Sequence, residues 1–153
     1  MSNEFQTLHN LPVGPLGIVS LESCKTLGEE VDSYIVKSRK KHCIAPEQEH
    51  EYSGYQKDSF LIKTKVPRFG SGEAKGIINE SVRGKDIFIM VDVCNYSLTY
   101  KLSGKVNHMS PDDHYQDLKR IIAAIAGKAR RITVIMPFLY ESRQHKRSSR
   151  ESL

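Results

Sequence analysis

Two polar segments of the sequence carry side chains that could hold a ligand. The first, RFGSGE (residues 68–73), places an aromatic ring and a carboxylate among glycines, and the second, RQHKR (residues 143–147), bunches three cations beside an amide. A guanidinium can hold two oxygens of a phosphate at once, which an ammonium group cannot. Arg143 also follows closely on an apolar run that ends at Met136. We therefore predict that the second segment binds an anion and is more than a solvated charged face.

The common nucleotide and hydrolase motifs are absent from the sequence. It contains no GxxxxGK[ST] phosphate loop, GxGxxG turn, GxSxG elbow or HExxH helix. The cysteines, Cys24, Cys43 and Cys94, form no CxxC pair, so neither a disulfide framework nor a four-ligand zinc site is indicated. The one cluster of metal-ligating side chains, His42, Cys43 and His50, has a spacing that matches no familiar site. We therefore predict no metal site in this chain.

Local periodicity predicts a strand, a helix and a second strand in the first half of the chain. Residues 17–21 form a short apolar run of the kind found in buried strands. A helix is predicted from there to about residue 36, and its inner face carries Cys24, Leu27, Val31 and Ile35. Residues 37–58 are polar, which predicts a loop or an insertion. The alternation in FLIKTKV (residues 60–66) predicts a half-buried strand, and residues 76–78 a shorter one.

The second half of the chain predicts a parallel crossover. Residues 87–93, IFIMVDV, are apolar on both faces, which is typical of a central parallel strand. Ser110 and Pro111 predict the start of a helix over residues 111–128, because a serine hydroxyl caps free N–H groups and proline fits the first turn. Another apolar strand follows at residues 132–136. The order strand, helix, strand predicts an α/β fold of three α-β-α layers with a mainly parallel sheet, which binds ligands at the carboxyl ends of its strands.

Composition and charge restrict the class of protein. The 153 residues suffice for one domain, and 39% hydrophobic with 27% charged residues is typical of a soluble globular chain. No apolar run approaches the roughly 18 residues of a membrane span, and the start lacks a secretory signal, so we expect a cytoplasmic protein with no membrane contact. We expect residues 1–16 to be an irregular leader and residues 17–153 the domain. The net charge of +5 suits an anionic partner, but the basic tail 143–150 has no interleaved aromatics, which argues against nucleic acid.

Two stretches of the sequence resemble a known enzyme family. GEAKGIINESVRGKDIFI (residues 72–89) is similar, without gaps, to the stretch of ribose-phosphate pyrophosphokinases that runs from their adenine loop through an E-S-V-R-G turn into a strand. PFLYESRQHKR (residues 137–147) is similar to the family segment P-x-F-x-Y-A-R-Q-D-[RK]-K. The resemblance covers most of residues 17–150, with one insertion around residues 95–108. Residues 37–58 have no counterpart in it.

This resemblance implies a fold, an activity and a set of site residues. Family members contain two tandem domains of the phosphoribosyltransferase type, and they transfer a pyrophosphoryl group from Mg-ATP to ribose 5-phosphate. The resemblance assigns ATP, with Mg²⁺ as the cofactor, to Phe69, Ser71, Glu73, Arg143 and Gln144, and a regulatory phosphate or nucleotide to Ser81 and Arg83. It also implies a homo-oligomer, in which the adenine loop of one subunit completes the ATP site of its neighbour.

Two functions are compatible with these residues. The first is the amino-terminal ATP-binding and assembly domain of a ribose-phosphate diphosphokinase. We expect the carboxy-terminal catalytic domain to be absent and the fragment to be inactive alone, because the sequence ends before the family's ribose-phosphate loop. The alternative is a non-catalytic regulatory relative. It is favoured by Ser71, which stands where members have Asp or Asn, and by His145, which replaces an Asp.

The implied roles also have structural alternatives. Phe69 could close an edge of the core, and Glu73 could be a solvated loop acid. Arg83 could pair with a neighbouring carboxylate, Glu80 or Asp86. The exposure of the Phe69 ring and the partners of the two carboxylates distinguish these possibilities.

Overall fold

The computed structural model describes residues 12–41, 54–143 and 146–150. In chain order, the elements are β1 (Leu16–Ser20), a 3-10 turn (Glu22–Cys24), α1 (Lys25–Lys41), β2 (Thr64–Lys65), β3 (Ile77–Ile78), β4 (Asp86–Met90), β5 (Thr99–Leu102), β6 (Lys105–His108), α2 (Pro111–Ile125) and β7 (Arg131–Ile135). At the centre of the fold lies a parallel sheet of three strands, in the order β1-β4-β7. Two shorter antiparallel pairs, β2-β3 and β5-β6, lie beside it.

The central strand is β4, as its continuous apolar sequence predicted. Ile87 lies between Gly17 of β1 and Ile132 of β7 in parallel register, and both Ile87 and Ile89 are completely buried. Successive side chains of a strand point to opposite faces, so a sheet covered on both sides needs apolar residues at every position. The predicted parallel pairing of the strands on either side of α2 is thus confirmed, and with it the α/β fold.

The two helices lie on opposite faces of this sheet. Leu118, Ile121 and Ile125 of α2 share one apolar cluster with Ile87 and Ile89. The other face has a second cluster, in which Val31 and Ile35 of α1 pack against Ile18 of β1 and Met90 of β4. The fold therefore has three layers, with α1 on one side of the sheet and α2 on the other.

The start of α2 was predicted correctly and its end was not. Ser110 forms a capping box, since its hydroxyl accepts from the Asp113 amide at 3.2 Å and the Asp113 carboxylate accepts from the Ser110 amide at 2.9 Å. Pro111 occupies the first turn. The helix ends at Ile125 and not at residue 128, because Ala126 adopts a left-handed conformation, with φ 52°.

The predicted end of the first helix was also wrong. Helix α1 continues to Lys41, so residues 37–41 do not belong to a loop. The Arg39 guanidinium lies 4.3 Å from the ring centre of Tyr55 and 4.7 Å from that of Phe60, and these tertiary contacts extend the helix beyond its apolar stripe. Leu27 was predicted to face the core, but it is 42% exposed. Of the predicted leader (residues 1–16) and insertion (residues 37–58), residues 1–11 and 42–53 lie outside the described residues, and Leu16 belongs to β1.

Residues 60–66 form an irregular edge beside β1. Backbone hydrogen bonds join Ile18 to Phe60 and Ile62 at 2.8 and 2.7 Å, and only Thr64–Lys65 forms a regular strand. Lys63 and Lys65 point outward, while Ile62 is buried. The alternation of buried and exposed residues was therefore predicted correctly, but the regular strand is shorter than the predicted residues 60–66.

At the opposite edge, β7 is less buried than its apolar sequence indicates. Val134 and Ile135 are 38% and 39% exposed. The strand pairs with β4 on one side and has no strand partner on its other side among the described residues. Among those same residues, no helix is long and apolar enough to cross a membrane.

Candidate functional site

The first candidate segment forms a tight loop, which we call the 68–74 loop (residues 68–74). An antiparallel bridge joins Arg68 to Ala74, and the Phe69 amide donates to the Glu73 carbonyl at 2.7 Å. The loop reverses through Gly72, whose φ of +92° disfavours any residue with a Cβ. The ring of Phe69 is 53% exposed, so it does not close an edge of the core. The structure thus presents this ring to solvent on a hydrogen-bonded loop.

Arg68 joins this loop to helix α2. Its guanidinium donates to the Gly72 carbonyl at 2.9 Å, to Asp113 at 3.4 Å and to Asp117 at 3.0 Å. The Arg68 side chain is 9% exposed, so these are largely buried charge-assisted contacts. Burial raises the pKa of Asp117, while the positive charges of Arg68 and Arg120 act in the opposite direction. Sequence reasoning missed this role of Arg68.

The insertion recognised in the sequence folds as a hairpin that supports the same loop. Its turn, Ser103-Gly104, has φ values of 49° and 80°, as a two-residue type I′ turn requires. The Ser103 amide donates to the Gly70 carbonyl at 3.2 Å, and the Tyr100 ring centre lies 4.5 Å from the Arg68 guanidinium. The Ser-Gly pair between two alternating segments was a signal from which the hairpin could have been predicted.

The second candidate segment follows β7, and we call it the 137–143 segment (residues 137–143). Tyr140 attaches it to α2, because its ring stacks on Tyr115 with centroids 4.1 Å apart and its hydroxyl donates to Asp112 at 2.5 Å. The hydrogen bond to Asp112 raises the pKa of Tyr140 to about 12. Both contacts lie at the amino-terminal half of α2, beyond the carboxyl end of the sheet.

A cleft of about 410 Å³ lies between this segment and the start of α2, and we call it the Arg143 cleft. Arg143 lines one wall, and Asp112 lines the wall formed by α2. Three aromatic residues line the cleft with Tyr140 included, and the other two, Tyr96 and Phe138, are 56% and 41% exposed. The position agrees with the rule that α/β sheets bind ligands at strand carboxyl ends. Gln144, which sequence reasoning placed beside Arg143, lies outside the described residues.

The predicted ATP residues fall into two separate groups. The lining of the Arg143 cleft includes none of Phe69, Ser71 and Glu73. Within the 68–74 loop, the Ser71 hydroxyl donates to the Glu73 carboxylate at 3.2 Å, and both residues are exposed. Among the described residues of one copy, the 68–74 loop therefore does not line the Arg143 cleft.

The predicted regulatory pair lies at the opposite end of the sheet, before β4 begins. Ser81 and Arg83 are exposed, and the Arg83 amide donates to the Ser81 hydroxyl at 3.4 Å. The two neighbouring carboxylates have other cations as partners, since Glu80 pairs with Lys85 at 3.2 Å and Asp86 pairs with Arg131 at 2.5 Å. The alternative pairing of Arg83 with either acid is therefore not observed.

No group of three or more His, Cys, Asp or Glu side chains in the described part of the chain could hold a metal ion. The weak cluster noted in the sequence, His42, Cys43 and His50, lies outside that part. In the Arg143 cleft, Asp112 and Glu141 are the two carboxylates of the lining. Mg²⁺ in nucleotide sites commonly binds one or two carboxylates together with phosphate oxygens, so these residues fit a magnesium ion that arrives with a nucleotide.

Comparison with known proteins identifies the family. The family model for the N-terminal domain of ribose phosphate pyrophosphokinase matches residues 16–153. The chain belongs to this family. A curated ribose-phosphate pyrophosphokinase of Helicobacter hepaticus is 32% identical over 91 residues, which cover 59% of this chain and 25% of that protein.

A solved structure agrees with this family at the level of the fold. The crystal structure of phosphoribosylpyrophosphate synthetase from Mycobacterium smegmatis has a TM-score of 0.57 to this chain at 22% identity, and the match covers 90% of this chain and 35% of that one. The chain therefore spans about a quarter and about a third of the length of these two relatives. The phosphoribosyltransferase-like fold is confirmed, and the roles of the individual site residues stay predictions.

Proposed function

We propose that this domain is the ATP-binding and assembly unit of a ribose-phosphate diphosphokinase, a transferase that makes phosphoribosyl pyrophosphate and AMP from ATP and ribose 5-phosphate. The observation that carries the proposal is the position of Arg143 in a cleft at the carboxyl end of the sheet. A cation there is held by a segment that Tyr140 ties to Asp112 of α2. ATP enters as its magnesium complex, with Asp112 and Glu141 beside it.

The adenine base is assigned to Phe69, Ser71 and Glu73. An exposed ring offers a stacking face, and an exposed carboxylate can accept from the exocyclic amine of adenine. Because these residues do not line the Arg143 cleft of the same copy, we propose that a second copy supplies the 68–74 loop to that cleft. Gln144 is assigned to the same nucleotide as Arg143. The domain then works as a homo-oligomer in the cytoplasm, without nucleic acid or membrane as a partner.

Ser81 and Arg83 are assigned to a regulatory anion. A hydroxyl and a guanidinium lie on one turn there, and the two neighbouring acids are neutralised by Lys85 and Arg131. An anion can bind at such a turn without facing an unpaired carboxylate from Glu80 or Asp86. The site lies at the amino ends of the strands, away from the Arg143 cleft. Ribose 5-phosphate and the turnover itself are assigned to the longer protein, and we propose that these 153 residues are inactive alone.

The alternative is a regulatory relative that keeps the fold and the assembly surface without substrate chemistry. One contact favours it. The hydroxyl of Ser71, which stands where family members have Asp or Asn, donates to the Glu73 carboxylate at 3.2 Å. That carboxylate is the group assigned to adenine, so this hydrogen bond competes with recognition of the base. Such a relative would retain self-association and lose ATP binding.

Calorimetric titration with Mg-ATP separates these functions. The wild-type chain should bind Mg-ATP, and Arg143→Ala should weaken binding about ten- to hundredfold, because a charge-assisted contact to phosphate is worth about 1.5–3 kcal/mol. Lys40→Ala is the matched control, since the contact of Lys40 among the described residues is an exposed pair with Asp58 at 3.1 Å, and it should change the affinity less than about threefold. Equal losses in the two variants would show that only bulk charge is recognised. No binding by the wild type would favour the regulatory relative.

A further inference from the structure

Tyr96 is an exposed aromatic residue at the wall of the Arg143 cleft. Its side chain is 56% exposed, and it shares the cleft lining with Phe138, which is 41% exposed. Single exposed rings are common on protein surfaces and carry little information. Two half-exposed rings that line one cleft beside Arg143 are less common, because the hydrophobic effect favours burial of both. This combination suits a ligand that has a flat aromatic part and an anionic part.

The backbone that carries Tyr96 is held in place on both sides. The side-chain amide of Asn95 donates through Nδ2 to the Ser23 carbonyl at 3.0 Å, and the backbone carbonyl of Asn95 contacts Nε2 of His114 at 2.9 Å. The Tyr96 carbonyl contacts Nδ1 of His108 at 2.8 Å. These bonds come from the turn after β1, from α2 and from β6, so three separate elements position one residue. A ring on a fixed backbone loses little conformational entropy when a ligand stacks on it.

We propose that Tyr96 is a base-recognition residue of this domain and stacks on the purine of the nucleotide whose phosphates bind Arg143. This inference rests on the proposed ATP-binding function and adds a stacking face from the same copy of the chain. The 68–74 loop then contributes the opposite face of the base from a second copy. Phe138, on the same cleft wall as Arg143, limits the space left for the base.

Two ligands distinguish base stacking from phosphate binding: Mg-ATP and magnesium tripolyphosphate, which lacks the base. We expect Tyr96→Ala to weaken Mg-ATP binding about tenfold, as measured by calorimetry, and to leave tripolyphosphate binding within about twofold. Tyr96→Phe should retain wild-type affinity for both ligands, because it keeps the ring. Tyr34→Ala is the matched control, since Tyr34 is 74% exposed on α1 and lines no part of the cleft.

The same titrations can overturn the inference without overturning the ATP-binding function. If Tyr96→Ala binds Mg-ATP as tightly as Tyr34→Ala does, Tyr96 does not stack on the base. Phe138→Ala provides a second variant in the same cleft, and an unchanged preference for Mg-ATP over tripolyphosphate in both variants would also contradict the proposal. A wild-type chain that binds neither ligand would contradict the proposed function, and the inference would fall with it. Thermal melting of each variant checks that it is folded.

Discussion

The 68–74 loop and the 137–143 segment are attached to the same helix by different kinds of contact. Arg68 attaches the loop through buried ion pairs with Asp113 and Asp117. Tyr140 attaches the segment through one stacked ring and one exposed hydrogen bond. A buried charge is stable only with its partners in place, whereas a stacked ring tolerates small shifts. The comparison indicates that the loop has a precise position, while the segment can adapt to a ligand.

The largest expected effect is that of removing the buried cation. Arg68→Met should lower the free energy of unfolding by about 3 kcal/mol, because Asp113 and Asp117 would lose a buried partner. Arg120→Met removes a cation from the same Asp117, paired at 2.6 Å, but leaves the loop contacts intact. It should cost less, about 1.5 kcal/mol, because Asp117 keeps its contact with Arg68. Urea unfolding measures both changes.

Hydrogen exchange extends this test to the loop itself. Amides of residues 68–74 should exchange faster in Arg68→Met and at the wild-type rate in Arg120→Met, since only Arg68 donates to the Gly72 carbonyl. If the two variants lost equal stability and showed equal exchange, the loop would not depend on Arg68. The contrast between the two attachments would then be wrong.

A smaller effect is expected at the stacked pair. Tyr115→Leu should lower the free energy of unfolding by about 1 kcal/mol, because an aromatic pair contributes about that much beyond the burial of its area. The rate of amide hydrogen exchange should increase in residues 137–143 and stay unchanged in residues 68–74. Tyr34→Leu, at an exposed position on α1, should change stability by less than about 0.5 kcal/mol. Faster exchange in the 68–74 loop of Tyr115→Leu would show that the two attachments are coupled.

The smallest expected effect concerns the ionisation of the Tyr140 hydroxyl. Hydrogen bonding to Asp112 raises the pKa of Tyr140 to about 12, above the value of about 10 for a free tyrosine. A raised pKa in the folded state means that this hydrogen bond stabilises the fold fully below about pH 10 and loses its contribution as the pH rises to about 12. Tyr140→Phe should remove the ionisation near pH 12 from a spectrophotometric titration of the tyrosines. Asp112→Asn should return that ionisation toward pH 10, and an unshifted curve in this variant would exclude Asp112 as the cause.

Sequence patterns predicted the elements whose causes are local. Ser110 and Pro111 marked the start of α2, because capping involves residues three positions apart. The continuous apolar run of β4 marked the central strand. The end of α1 was missed because it depends on Tyr55 and Phe60, which lie at least 16 residues beyond Arg39. Exposure of β7 was missed because its apolar pattern does not show which strands lie beside it.

The residues of the candidate site also divide into those that the sequence predicted and those that it did not. Residue types and the family resemblance predicted Phe69, Arg143 and Arg83 as site residues, and these roles stay predictions. The contacts of Arg68 could not be predicted, since it meets Asp113 and Asp117 across 45 and 49 residues. Tyr96 was also missed, because nothing in its neighbouring sequence shows that it faces the same cleft as Phe138.

The sequence by itself determined the family, through its resemblance to known members. It also determined the α/β class and the order of the central strands and the two helices, because short-range periodicity and capping act between near neighbours. Only the tertiary structure decided which side chains meet. It separated the 68–74 loop from the Arg143 cleft and used different contacts to attach each of them to α2. The physical reason is that burial and ion pairing depend on distances in space, which residues far apart in the chain acquire only when the sheet and its two helices have packed.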